Sequence, residues 1–302
     1  MSVGMSQPSP LTRLLPFAAA ALGVGCLSVM DAFMKSAALA TGTYTATVVR
    51  SLIGAALIAP FWLWQRKGWP AKATMKLHVE RGIISAFMAL SFFYALTKLP
   101  LAEAIAISFV APLVALYFAR VLLGEVIRRG AVIASVLGFA GTLVIVGGKI
   151  GQGDFDRDIA LGLASLMFSA LLYAYNFVVI RKQSQLAGPV EIATFHSGVG
   201  GLALLLLAPF IGTPIVSSTL PQLAAAGVLT VAGAMAIAWA YARAEAQALV
   251  PIEYSGFLWA SVLGWAFFRE PVTLPTIAGT VLIVGGCWLA TRKGAVAEGE
   301  SA

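Results

Sequence analysis

The chain has 302 residues, of which 60% are hydrophobic and only 11% charged, with a formal net charge of +7. A water-soluble domain carries roughly 25% charged residues, so this composition excludes a soluble globular protein: too much apolar surface would face water. The lysines and arginines lie in short loops between apolar runs rather than on one face, which excludes a nucleic-acid surface and points to membrane topology.

Taken in order, apolar runs of about 20 residues predict ten membrane-spanning helices. They are Leu14–Ala38, Thr43–Trp64, Arg81–Lys98, Leu101–Leu123 and Gly130–Gly148, then Ile159–Ile180, Val190–Phe210, Leu223–Tyr241, Leu249–Phe268 and Thr273–Ala290. The runs are continuous rather than alternating, which argues against a transmembrane β-barrel. The predicted fold class is therefore an all-α polytopic membrane protein whose partner is the lipid bilayer. Polar tails are expected at 1–13 and 291–302, the second one disordered, and no cleavable signal is apparent. The longest polar connections are Gln65–Glu80 and Lys149–Asp158, and the latter joins two five-span halves, 14–148 and 159–290. Cys26 and Cys287 both fall in apolar runs and read as packing residues.

Placing both termini in the cytoplasm puts 14 lysines and arginines on that side and five on the other, with Arg50 inside a span. Five spans per half is an odd number, so a second copy of the same unit enters the membrane upside down. The sequence carries such a copy. The stretch from Ser91 to Glu125 returns in altered form from Ile237 to Glu270, the two glutamates 145 positions apart. Lys35 and Arg181 end the first span of each half, Arg50 and His196 follow 15 residues later, and Ala59-Pro60-Phe61 is echoed by Ala208-Pro209-Phe210.

Val49-Arg50, Phe93-Tyr94-Ala95-Leu96, Leu101 to Pro112, Leu122-Leu123-Gly124-Glu125 and Gly138 to Gly148 form a pattern. So do Tyr241-Ala242, Ala248 to Trp265, Phe268-Arg269-Glu270 and Gly279 to Gly286 in the second half. Over nearly the whole chain the pattern resembles the EamA-type transporters of the drug/metabolite transporter superfamily. The second copy departs from it at Phe257, which stands where the first has Pro112, and at Arg269, which stands where it has Gly124.

The resemblance implies ten helices as two inverted five-helix repeats around a central cavity, in a bacterial inner membrane. It also implies a cavity lined mainly by the first, third, fourth, sixth, eighth and ninth spans. Expected cargoes are amino acids, nucleotide-like metabolites, vitamins or toxic compounds, with export commoner than uptake.

Ionisable residues at membrane depth are costly, and each is a functional candidate that needs a partner. Asp31 and Lys35 are four apart on one helical face and can neutralise each other or bind cargo. Arg50 can hold a carboxylate or phosphate in bidentate fashion, or bind Asp31 or a helix-end carbonyl. Glu253, with Tyr254, follows Pro251 in the ninth span and could carry a proton in exchange for substrate. Glu103 opens the fourth span beside Lys98, as an outer-mouth pair or a proton carrier. His196 occupies the position of Arg50 in the second copy and could relay a proton or be satisfied by a carbonyl. Glu125 and Glu270 are expected to cap the helices that follow them.

Ser108, Asn176 and the rings of Tyr94, Tyr173, Trp239, Tyr254 and Trp259 fall on the spans expected to line the cavity and complete the candidate binding set. An aromatic pocket suits a planar or apolar cargo. Trp62, Trp64 and Trp69 read as interface anchors. Gly138-x-x-Gly141 and Gly285-Gly286 read as sites of close helix packing. No phosphate-binding loop, His/Cys metal cluster or Ser-His-Asp arrangement is present, so neither an enzyme nor a cofactor is expected. A monomer or homodimer carrying a small molecule is the expectation.

Overall fold

The computed structural model describes residues 10–299, apart from 67, 112–113, 115–116, 119–120, 123–128, 152–155, 184, 242, 244–251 and 253–254. Among the described residues all regular secondary structure is helical. The helices are α1 (Pro10–Thr41), α2 (Thr43–Gln65), α3 (Lys72–Lys98), α4 (Leu101–Ser108), α5 (Arg129–Gly151) and α6 (Arg157–Gln183). After them come α7 (Pro189–Leu205), α8 (Ala208–Ile211), a 3-10 turn at Ser217–Thr219, α9 (Leu220–Tyr241), α10 (Ser255–Phe268) and α11 (Leu274–Gly299). Each expected span contains helix, with α7 and α8 together forming the seventh.

Three boundaries differ from expectation. The third span starts at Lys72, not Arg81, so Lys76, His78 and Glu80 belong to its first turns rather than to a loop. Helix α11 runs to Gly299, where a disordered tail was expected. The helix thus continues past the end of the apolar run. The fourth span breaks at Phe109–Val110, one turn before Pro112. There the amides of Phe109 and Val110 turn to Ala106 and Ile107, 3.2 and 3.0 Å away, in place of the α-helical carbonyls. Pro112 itself lies outside the described residues.

The helices pack as an inverted pair of copies should. Helix α1 packs on α9, and its counterpart α6 packs on α3. The α3–α7 contact is mirrored by α2–α9, while α2–α7, α4–α10 and α5–α11 join each span to its own counterpart. Lipid gives helices no hydrophobic drive to associate, so close packing of small residues must hold them. Gly141 on α5 and Gly279 on α11 show this directly. A Cβ on either would come within 2.4–2.5 Å of the other's carbonyl oxygen. Gly23 and Gly233 bring α1 and α9 together in the same way, each Cβ position 3.0 Å from the other's carbonyl. Gly285, by contrast, faces open space and is not a packing point.

The outside of the bundle is apolar. Trp64 is 81% exposed, Phe210 82% and Leu274 78%. Such a surface would aggregate in water and is the natural surface in lipid. Trp69 also projects outward, but Trp62 does not. It is buried between Phe195, with ring centroids 5.1 Å apart, and Trp69, at 5.5 Å.

The ends of the bundle are tied by polar groups. The tight turn at Gly42, with φ of 89°, lets Thr41 and Thr45 bond the strand-like segment Thr213–Val216, through contacts of 2.9–3.0 Å. Lys98 pairs with Asp158 at 2.7 Å on the same side of the bundle. Helix α10 closes in a left-handed cap: Arg269 has φ of 57° and its amide reaches back to Trp265 at 3.1 Å.

Candidate functional site

A cavity of about 390 Å³ lies between α1, α2, α3, the broken fourth span, α6 and α7. Its apolar wall is made by Met30, Phe92, Phe93, Phe109 and Leu166, and Tyr173 faces it from α6. Asp31, Arg50, Ser108 and His196 bring the polar groups. Thus Asp31, Arg50, Ser108, Tyr173 and His196 meet in one chamber as candidate site residues. Ser108 stands beside the break at Phe109–Val110, its hydroxyl bonded back to Ala104 at 2.7 Å. The second and seventh spans, absent from the expected lining, supply Arg50 and His196.

Other candidates do not reach the chamber. Tyr94 sits with the ammonium of Lys98 6.0 Å from its ring, and Trp239 carries the guanidinium of Arg243 4.1 Å above its own. Trp259 is half-exposed and packs against Gly25. None of the three is among the described lining residues. Asn176 is one bond removed, donating to Ser85 Oγ at 2.6 Å, and Ser85 lines the chamber. Glu253 and Tyr254 lie outside the described residues, as do Gly124 and Glu125.

The expected Asp31–Lys35 pair does not form. Lys35 extends to the end of the bundle, where its Nζ pairs with Glu270 and donates to the carbonyl of Leu99 at 2.8 Å. The other oxygen of Glu270 accepts from the amide of Leu101 at 2.7 Å. Glu270 therefore caps α4, a helix of the other half, and not the helix that follows it. Loop 269–273 meets the α3–α4 junction in space, and the free amide at a helix start attracts a carboxylate. Glu103 likewise leaves Lys98, which has Asp158. Glu103 is 3% exposed and accepts from Thr276 Oγ1 at 3.3 Å, near the charge of Lys35.

Asp31 is left facing the chamber with Arg50 as the opposite charge acting on it. No ion pair closes between them. Arg50 donates to Thr230 Oγ1 at 3.3 Å, lies 5.2 Å over the ring of Phe93, and keeps Nε buried without a partner. His196 Nδ1 is buried without a partner as well.

A second polar network, which hydropathy alone did not reveal, runs from the chamber to the opposite end. Ser85 holds Asn176, whose Oδ1 accepts from Arg81 Nε at 2.9 Å. Arg81 also donates to Gln183 at 3.3 Å, Gln183 meets His78 Nδ1 at 2.6 Å, and His78 Nε2 meets Glu191 at 3.0 Å. His78 is fully buried and stacked on Phe195, with centroids 4.4 Å apart. Arg81 and Asn176 lie in the expected third and sixth spans, whereas His78 falls in the expected 65–80 connection, where the helix continues past its apolar run and hydropathy carries no signal.

The family model described as the EamA-like transporter family matches residues 14–147 and 160–292. A pseudopaline exporter of Pseudomonas aeruginosa is 28% identical over 271 residues, 88% of this chain and 92% of that protein. An S-adenosylmethionine uptake transporter of Rickettsia prowazekii is 24% identical over 260 residues, 85% of each. A solved crystal structure, 21% identical, superposes with a TM-score of 0.64 over 93% of this chain and 99% of its own. At that identity the likeness shows the fold alone.

Proposed function

Because the chain belongs to the EamA-like transporter family and is a multi-pass secondary transporter of small metabolites, we propose that its chamber carries an amino acid or similar zwitterion outward by alternating access. One observation carries this reading. Asp31 and Arg50 present opposite charges to one chamber without closing a salt bridge. A molecule with an ammonium and a carboxylate complements both charges at once, while Phe92, Phe93 and Tyr173 offer rings to its side chain.

The membrane is the bacterial inner membrane, with both termini in the cytoplasm, as the 14-to-five charge asymmetry supports. The relatives' names, both transporters, support transport rather than catalysis. Proton coupling is assigned to Glu253, which lies 145 positions after the chamber residue Ser108 and is its counterpart in the second copy. Glu253→Gln is expected to abolish the response of flux to a pH gradient while the protein stays folded. An unaltered pH response in that variant sinks the assignment.

Counterflow in proteoliposomes tests the cargo, with amino acids loaded first. Saturable exchange of an amino acid supports the reading, and its absence across the panel, from folded protein, overturns it. A second reading is uptake or exchange of a vitamin or nucleoside-like metabolite. The aromatic side of the chamber favours it, since planar rings stack on Phe92, Phe93 and Tyr173. Flavin-type and adenosyl-type compounds therefore belong in the same panel.

A further inference from the structure

Beside the chamber lies a smaller cavity of about 30 Å³, formed by α2, α3, α7 and α9. The two spaces share Arg50, Ser85, Ala89 and His196. We propose that this side pocket is an anion site, in which Arg50 and His196 hold a carboxylate or a small inorganic anion.

Three observations carry the proposal. Among the described residues, three buried side-chain polar atoms have no hydrogen-bond partner, and two of them are Arg50 Nε and His196 Nδ1. A buried polar atom left unpaired is unfavourable, and the two residues that carry these atoms both line the side pocket, where a ligand would complete the bonding. Next, the pocket offers hydrogens and positive charge but no carboxylate. The hydroxyls of Ser51 and Thr230 are turned to their own helices, bonded to Thr47 at 2.8 Å and Ala226 at 2.7 Å. Ser85 receives its bond from Asn176, which leaves its own hydrogen for a ligand, and Ser197 also lines the space. The guanidinium groups of Arg81 and Arg50 both act on His196. The opposing charge is Asp31, which lines the chamber and not the side pocket. Last, the volume exceeds the roughly 10–15 Å³ that one water needs. It admits a halide or the two oxygens of a carboxylate but not a whole metabolite, whose remainder would lie in the chamber.

The repeat explains why the two residues meet. Arg50 and His196 are equivalent positions of the second and seventh spans, and these spans pack on each other across the pseudo-two-fold axis. The anion site therefore sits where the two copies face each other, and either copy can move relative to a ligand held by both.

The anion has two sources, the cargo's own carboxylate or a free ion, and the cargo source rests on the reading given above. The test begins without cargo. Thermal unfolding of the full chain in detergent is followed against sodium acetate or sodium chloride, with sodium isethionate, which is neither a carboxylate nor a halide, holding ionic strength constant. A saturable rise in melting temperature with acetate or chloride is expected, and Arg50→Gln should raise the half-saturating concentration about tenfold. Ser85→Ala should raise it about threefold and serves if Arg50→Gln does not fold. No saturable rise from folded wild-type protein, or an unmoved half-saturation in the variants, overturns the site and leaves water as its occupant.

Counterflow then separates the sources. If an amino acid is carried and its carboxamide is not, independently of chloride, the anion is the cargo's carboxylate. If both are carried and both need chloride, the anion is a free ion. Absence of all counterflow counts against the transport reading alone, because the acetate titration decides the site by itself.

Discussion

Arg50 and Arg81 both carry a guanidinium into the bundle, on neighbouring helices, and they differ in how well they are satisfied. Arg81 is engaged by Asn176 and Gln183, which are themselves tied to Ser85 and His78. Arg50 has one long hydrogen bond, the face of Phe93, and a buried nitrogen with no partner. A completed polar network holds helices in register, and an incomplete one beside a cavity awaits a ligand. The same contrast separates the far end of the bundle, where Lys35, Glu270 and the Leu101 amide satisfy one another, from the chamber.

The largest effect is expected at that end. Glu270→Ala leaves the Lys35 ammonium, 4% exposed, without its carboxylate and the start of α4 without its cap. Loss of about 3 kcal/mol of stability follows, measurable by unfolding in detergent. A loss under about 1 kcal/mol would show that the pair is screened like a surface one.

Next comes the direct comparison of the two arginines. Arg50→Gln is expected to cut exchange about a hundredfold while altering stability by less than about 1 kcal/mol. Arg81→Gln should do the reverse, lowering stability by about 2 kcal/mol, because its partners are left short of a donor. Equal stability losses in the two variants would erase the distinction between them. Asn176→Leu sharpens it further. Ser85 loses its donor and Arg81 an acceptor, for about 1–2 kcal/mol, with a few-fold fall in exchange caused through position alone.

The smallest effect is a gain. Arg269 holds a φ of 57°, a conformation that glycine adopts freely. Arg269→Gly should stabilise the protein by about 0.5–1 kcal/mol, less whatever the contact with Trp265, 5.5 Å away, contributes. The first copy has Gly124 at the equivalent place, so the sequence difference already marked this position. A lower melting temperature in the variant would mean that the stacking outweighs the backbone.

Much of the architecture was legible in the residues themselves. Continuous apolar runs, few charges and a repeat at 145 positions lead to ten helices in two inverted copies, since lipid admits few other solutions for such a chain. Part of the chamber's lining was legible as well. Asp31, Arg50, Ser108, Tyr173 and His196 stood out because polar or aromatic groups at membrane depth need a reason, and all five line the chamber.

Partnership was not legible. Asp31 and Lys35 sit four apart on one face, yet Lys35 turns to a glutamate 235 positions away. Spacing along a helix says which residues share a face but not what the next helix brings to it. Glu270 was recognisable as a cap, but the helix it caps belongs to the other half of the molecule. Only the His78 end of the ladder to Asn176 falls in the expected 65–80 connection, because a helix that extends past the membrane has no apolar signal at its end. What the sequence determined by itself was the solvent, the helices and their duplication, all of which follow from local composition and period. Which charges are neutralised and which remain open to a ligand was decided only by packing, because that depends on contacts between residues a hundred or more positions apart.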